Sequence, residues 1–325
     1  MVLLDVRNLR TSFKLRGTTL NAVNGVTFSL ARGETLGIVG ESGSGKTVLC
    51  HSIMGLLQKP PAHISGSALF GTLDLVSCSD KEIRKVRGDR ISMIFQDPQA
   101  AFNPYLRICD QLIEPLLYHR KLNRKSAMAH ALSMLDKTGI PDPSSRIRCY
   151  PHEFSGGMLQ RAMIAMALVT HPEILIADEP TTALDVTVQM QILQLLKDLQ
   201  KQLSMSVIFI THNLGIVAGF CDRVLVMYAG RILESAPGDE LFLNTAHPYT
   251  KALIRSVPSL GESSTELHSI EGTPPDLTKD IIGCPFAQRC PFRAKICTEG
   301  DMELYPAGES HFTSCVRFLK GEITL

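Results

Sequence analysis

The chain is expected to fold as an α/β protein built on a parallel sheet, and three observations predict this. Short apolar runs of buried-strand type alternate with segments of helical period, the pattern of strands joined by crossover helices. Three of the runs, residues 91–95, 173–177 and 206–211, lead into Gln96, into Asp178 and Glu179, and into His212. Ligands of such sheets sit at the strands' carboxyl ends, where these side chains fall. Finally, Gly40-Glu41-Ser42-Gly43-Ser44-Gly45-Lys46-Thr47 lies between an apolar run, 34–39, and a helical stretch, 48–57.

The elements follow in order. Residues 2–39 read as strands: 2–6, 22–30 and the core strand before the glycine loop. Phe13 lies in this β region and by position alone is a core aromatic. A helix over 48–58 is broken by Pro60-Pro61. A short strand at 67–70, a charged helix at 80–86 and a buried strand at 91–95 follow, the last closed by the turn signal Gln96-Asp97-Pro98. Residues 105–139 read as helical with a break near Leu122-Asn123. Their mixed polarity points to a helical subdomain outside the sheet, closed by Pro141-Asp142-Pro143. Ser155-Gly156-Gly157 opens a long helix through Leu168, followed by a strand at 173–179, an amphipathic helix at 186–199 and a strand at 206–212. Residues 224–227 and 231–234 flank Ala229-Gly230, a hairpin signal. Near residue 257 the pattern changes: Gly261-Glu262-Ser263-Ser264-Thr265 and Thr273-Pro274-Pro275 are linker-like, with a cysteine cluster beyond. This spacing predicts a domain over 1–256, with its helical subdomain at about 97–170, and a linker with a small C-terminal cysteine domain over 257–325.

Composition narrows the function classes. A net charge of +1 gives no electrostatic case for nucleic acid as the main partner. No apolar run approaches the roughly 20 residues that cross a bilayer. Residues 1–7 lack a basic segment leading into an apolar one, so no signal peptide is expected and the chain is expected to be cytoplasmic. Nine cysteines, an odd count, then read as thiols or metal ligands rather than disulfides.

The glycine loop matches G-x-x-x-x-G-K-[ST] in the strand–loop–helix context that this phosphate-binding motif requires. Gly40, Ser42, Gly43, Ser44 and Gly45 let successive backbone N–H groups face one anion, and the helix start adds its partial positive charge. Lys46 is expected at the β- and γ-phosphates and the Thr47 hydroxyl on Mg²⁺. Asp178, after an apolar run, suits Mg²⁺, directly or through water. Glu179 beside it points elsewhere and suits a general base polarising the attacking water. His212 is placed to hydrogen-bond the γ-phosphate or that water, and Gln96 to contact Mg²⁺ or water. Ser155, Gly156 and Gly157, opening a helix, form a second anion site. Two such sites far apart in sequence imply a two-fold dimer, each nucleotide lying between the loop of one subunit and the Ser-Gly-Gly of the other.

Taken in order, these motifs resemble an ABC transporter nucleotide-binding subunit over about residues 2–255. The resemblance implies ATP as the nucleotide, Phe13 as the adenine-stacking aromatic, Gln96 as the Q-loop, residues 154–161 as the signature, Ala183-Leu184-Asp185 as the D-loop and His212 as the switch histidine. Phe154 and Met158 depart from the usual Leu and Gln, and Asn213 stands where Asp is common. Residues 93–98, 177–185 and 247–253 resemble the oligopeptide and dipeptide importer ATPases, and the tail Cys284-Pro285-Phe286-Ala287-Gln288-Arg289-Cys290-Pro291 resembles that of the dipeptide members. The resemblance implies ATP hydrolysis driving uptake of di- or oligopeptides through two membrane permease subunits. It also implies an extracytoplasmic substrate-binding protein, a peripheral place on the membrane's cytoplasmic face, and a dimer with a paralogue or a second copy. Nickel importers of the same branch are the neighbouring alternative. Soluble ABC ATPases acting on DNA or ribosomes carry a long coiled-coil insertion or two cassettes, and this chain has one phosphate loop and one signature.

Cys284, Cys290, Cys297 and Cys315 are spaced C-x5-C-x6-C-x17-C, unlike the C-x2-4-C pairs of structural zinc sites. Four thiolates can hold an iron–sulfur cluster. The resemblance implies a [4Fe–4S] cluster; Zn²⁺ and no metal stay open. Nothing in the sequence places this tail at the phosphates, and no part in ATP chemistry is expected of it.

Overall fold

The computed structural model describes residues 1–182, 185–256, 270–300 and 302–325. The chain forms two compact units, one of Met1–Ser77 with Ile210–Leu325 and one of Cys78–Phe209.

The first unit opens with β1 (Val2–Leu15) and β2 (Thr18–Ala31), paired antiparallel with Phe13 opposite Leu20. Both are longer than their apolar patterns predict, because their polar outer halves pair with each other and with a third strand instead of facing a core. β3 (Thr35–Val39) is buried at every position and leads into α1 (Lys46–Ile53). That helix stops short of residue 58, since Gly55 turns left-handed (φ 60°) just beyond the Met54 cap. β4 (Ala62–Phe70) and β5 (Leu73–Asp74) complete a sheet of order β2-β1-β4-β5.

The second unit holds α2 (Asp80–Val86), closed at its start by a reciprocal Ser79/Glu82 capping box. Then come β6 (Ile91–Ile94), α3 (Pro98–Ala101), α4 (Ile108–His119), α5 (Arg124–Lys137) and α6 (Pro143–Arg146). The break between α4 and α5 falls where Asn123 caps α5 by accepting from the Ser126 N–H. α7 (Gly156–Leu168), β7 (Ile174–Asp178) and α8 (Val186–Leu203) follow. β6 and β7 run parallel, Ile91 beside Ile174 and Met93 beside Ile176, so their carboxyl ends coincide. β8 (Ser206–Thr211) carries the chain back into the first unit.

There α9 (Leu214–Val217) precedes the hairpin of β9 (Arg223–Tyr228) and β10 (Arg231–Pro237). Ala229 and Gly230 are both left-handed (φ 48° and 77°), as a type I′ turn requires. β9 lies parallel to β3, pairing Ile38 with Leu225 and Val39 with Val226. α10 (Gly238–Leu243), α11 (Pro248–Arg255), β11 (Tyr305–Gly308), β12 (His311–Thr313) and α12 (Val316–Leu319) complete the unit. β12 pairs antiparallel with β10, Thr313 opposite Glu234. The ring of Phe286 is 1% exposed and packs edge-on to Tyr228. The tail therefore shares sheet and core with this unit, which the sequence does not predict. The linker run 261–265 and Ala183-Leu184 lie outside the described residues.

Candidate active site

In the first unit, residues 40–45 curl from the end of β3 to the start of α1. A Cβ at Gly40 would collide with the carbonyl oxygen of Met227, and one at Gly45 with that of Ala22, so only glycine lets the backbone pass. Gly45 takes the N-cap position of α1 in a left-handed conformation (φ 101°) with no side-chain cap and no acidic residue in the first turn, leaving the helix's positive end facing the loop. Lys46 is 5% exposed, and its Nζ donates to the carbonyls of Gly40 at 2.8 Å and Glu41 at 2.9 Å. The ammonium is thus held inside the curve of the loop. Thr47, the next residue on α1, is half-buried, while Ser42 and Gly43 at the loop's apex are exposed. Phe13 is half-buried on β1, opposite Ala62 of β4. His212 is exposed immediately after β8.

In the second unit, Asp178 ends β7 at 3% exposure, and Glu179 leaves the strand in a left-handed conformation (φ 46°). Asp178 is thus buried at the strand end, whereas Glu179 is half-buried beyond it. Oε2 of Glu179 accepts from Nε2 of Gln96 and from Oγ1 of Thr182, each at 3.0 Å. β6 ends at Ile94, so Gln96 reaches Glu179 from two residues beyond its strand. The turn is braced by buried Gln160 of α7, whose Nε2 donates to the Pro180 carbonyl at 2.6 Å. Neither Thr182 nor Gln160 stood out in the sequence; the only signal was their place three residues after Glu179 and within the signature run.

Ser155 is the N-cap of α7, its Oγ accepting from the Met158 N–H at 3.3 Å. Accepting that bond leaves the hydroxyl proton to donate elsewhere. Gly156 is exposed and Gly157 half-buried at the same helix start. Asp185 caps α8, accepting from the Val188 N–H at 2.9 Å. Its position is thus explained by helix capping alone.

The tail reaches the phosphate loop through one ion pair. Arg289 donates from Nη1 and Nη2 to the two carboxylate oxygens of Glu41 at 2.7 and 3.0 Å, and the Glu41 N–H donates to the Tyr249 hydroxyl at 2.9 Å. The sequence had no means of pairing residues 248 positions apart. Cys284, Cys290, Cys297 and Cys315 line one cavity of about 70 Å³ together with His247. Among the described residues, no group of three or more His, Cys, Asp or Glu is disposed to hold a metal ion. Burial pushes the thiol of Cys284 up to about 12 and that of Cys290 up to about 11, with the neighbouring cysteines adding to both. His247 is held down to about 3 by burial. Its Nδ1 accepts from the Tyr249 N–H at 3.1 Å, and Nε2 lies 3.9 Å from Sγ of Cys284.

The family model described as ABC transporter matches residues 23–182, and that of the oligopeptide/dipeptide transporter C-terminal region matches residues 233–297. The dipeptide transport ATP-binding protein DppD of Bacillus subtilis (strain 168) is 53% identical over 96% of this chain and 93% of its own length. The chain belongs to the ABC transporter family. The oligopeptide transport ATP-binding protein OppD of Salmonella typhimurium is 48% identical to this ABC protein, over 91% of the chain and 88% of its own length. Among solved structures, the dimeric ATP-binding cassette MJ0796 in a post-hydrolysis state, bound to ADP and Pi, superposes with a TM-score of 0.65 at 26% identity. That match covers 72% of this chain and 98% of the cassette. The ABC fold, with its mixed α/β core and antiparallel sheet, is thereby borne out. Among the described residues of this ABC protein, no helix is long and apolar enough to cross a membrane.

Proposed function

We propose that this protein is the ATP-hydrolysing subunit of an importer of di- and oligopeptides. The observation that carries the hydrolytic part is Glu179, a carboxylate turned off the end of β7 by a left-handed backbone and hydrogen-bonded by Gln96 and Thr182. A non-glycine residue in that conformation costs free energy, which proteins retain where a side chain must be aimed. Glu179 acts as general base, taking the proton of the attacking water. Gln96 and His212 orient that water and the γ-phosphate.

The phosphate loop binds the triphosphate through Gly40, Ser42, Gly43, Ser44, Gly45 and Lys46, and Phe13 stacks on adenine. Ser155, Gly156, Gly157 and Asp185 serve a nucleotide held by a partner cassette. The family implies Mg²⁺, for which the Thr47 hydroxyl, the Asp178 carboxylate and the Gln96 amide each offer a hard oxygen ligand. When bound, the ion neutralises phosphate charge.

Peptide as the transported class is supported by the dipeptide and oligopeptide names of the relatives and by the matching C-terminal region. Two membrane permease subunits, an extracytoplasmic binding protein, a peripheral place on the cytoplasmic face and a cassette dimer with a paralogue or second copy belong to the same reading. The dimeric neighbour supports the last of these. Functionally, residues 1–256 form the cassette and 257–325 an appended cysteine-bearing piece. The cysteine count and the resemblance to the dipeptide members support a sulfur-bound group, a [4Fe–4S] cluster or Zn²⁺, although the four cysteines that line the cavity are not disposed as metal ligands as they stand. Its role would be to cross-link the loops that carry them.

The direct test is ATP hydrolysis by the purified chain. Phosphate release that requires Mg²⁺ and is lost in Glu179→Gln supports the reading; release unchanged in that variant removes Glu179 from it.

A further inference from the structure

Arg289 precedes Cys290 in the cysteine-bearing tail, and its side chain is 5% exposed. Each of its five N–H donors is engaged: Nε to the Glu271 carbonyl, Nη1 to Glu41 and the Tyr228 hydroxyl, Nη2 to Glu41 and the Ile270 carbonyl. The guanidinium also lies 5.8 Å from the ring centre of Tyr228 and 5.9 Å from that of Phe286. A fully satisfied, buried fork of this kind holds one geometry.

What it holds is the second residue of the phosphate loop. Glu41 is fixed through its carboxylate by Arg289 and through its backbone N–H by Tyr249, and its carbonyl accepts Nζ of Lys46 at 2.9 Å. A continuous path therefore runs from Arg289 through Glu41 to the lysine that meets the phosphates. The tail also borders the loop: Pro274, Pro275 and Leu277 line a small cavity with residues 41–44, and the Leu277 carbonyl accepts from the Asn21 N–H of β2 at 2.9 Å.

We propose that Arg289 is a positioning residue for nucleotide binding, setting the phosphate loop through Glu41, so that the cysteine-bearing tail is a determinant of ATP affinity. Arg289 touches no phosphate itself; it acts on the loop's backbone. The proposal rests on residues 40–47 binding the triphosphate, and its test separates the two.

The experiment measures binding of a fluorescent ATP analogue with Mg²⁺, the KM and kcat of hydrolysis, and the melting temperature. It uses the full-length chain and its variants Glu41→Gln, Arg289→Lys, Arg289→Met, Glu41→Gln/Arg289→Met and Lys46→Ala. Glu41→Gln and Arg289→Met are each expected to weaken nucleotide binding about tenfold and to raise KM more than they lower kcat. The double variant is expected to be no weaker than the worse single one, because both act through one path. Arg289→Lys is expected to recover part of the loss. A purely structural role would lower the melting temperature while the folded protein keeps wild-type affinity. That result in Glu41→Gln overturns the proposal even if Arg289→Met fails to fold, and so does full additivity in the double variant. Wild-type affinity in Lys46→Ala as well would overturn the loop reading and the proposal with it.

Discussion

Gln96 donates its side-chain amide to Oε2 of Glu179 at 3.0 Å, joining the residues that follow two parallel strands, β6 and β7. The same oxygen accepts from Thr182, so the carboxylate is oriented from two sides while the backbone beneath it is left-handed. Orientation of this carboxylate is built into the fold, and substitutions separate its proposed role as base from its backbone strain. Glu179→Gln is expected to bind ATP and to lose about 10²–10⁴-fold in hydrolysis, since an amide cannot take the water proton. Glu179→Gly is expected to lose hydrolysis equally and to be about 1 kcal/mol more stable than Glu179→Ala, which loses the same hydrogen bonds but keeps the Cβ in the left-handed conformation. Phosphate-release assays and thermal melts read the two effects; a Glu179→Gly no more stable than Glu179→Ala would show that the conformation is not strained.

Lys46→Ala removes the ammonium held by the Gly40 and Glu41 carbonyls. Charge-assisted hydrogen bonds contribute about 1.5–3 kcal/mol, so nucleotide affinity is expected to fall about 10–100-fold. Equilibrium binding of a fluorescent ATP analogue measures this. Affinity equal to wild type would remove the loop from phosphate binding.

Coupling to membrane subunits is expected through the segment after Gln96. α3 is short and its Ala100 is exposed, Ala101 half-exposed. Cysteine introduced at either site is expected to cross-link to a short cytoplasmic helix of a membrane partner in native membranes, read by mass spectrometry. Capture of RNA alone at that surface would favour a non-transport role.

Much of this was legible because the signals are local. The glycine loop, the Ser155 cap of α7 and the apolar strands β7 and β8 are each fixed by a few adjacent residues. The full length of β1 was not legible: its outer half, to Leu15, is held by pairing with β2 and β4, not by an apolar pattern. Nor was the tail's position. β12 joins β10 as an added strand, and Arg289 finds Glu41 across the chain. A lone arginine beside a cysteine carries no mark of such a partner in sequence. Asp185 shows the reverse limit, since a helix cap and a functional aspartate look alike in one sequence.

For the cysteine cavity, whose residues are not disposed as metal ligands as they stand, anaerobic purification followed by iron, sulfide and zinc analysis decides whether a sulfur-bound metal group forms there. Cys290→Ser is expected to lose it and to lower the melting temperature. Because Arg289 adjoins Cys290 and grips Glu41, ATP affinity is expected to fall too. Protein with four free thiols and no metal would end the assignment.

The central claim, that ATP hydrolysis here powers peptide uptake, is tested most directly in vesicles. The chain would be reconstituted with its co-purifying membrane subunits and a substrate-binding protein. The expected result is phosphate release that rises when a dipeptide or oligopeptide is supplied with the binding protein, accompanied by peptide accumulation, and both lost in Glu179→Gln. Hydrolysis indifferent to peptide, with no accumulation across the vesicle membrane, would contradict it.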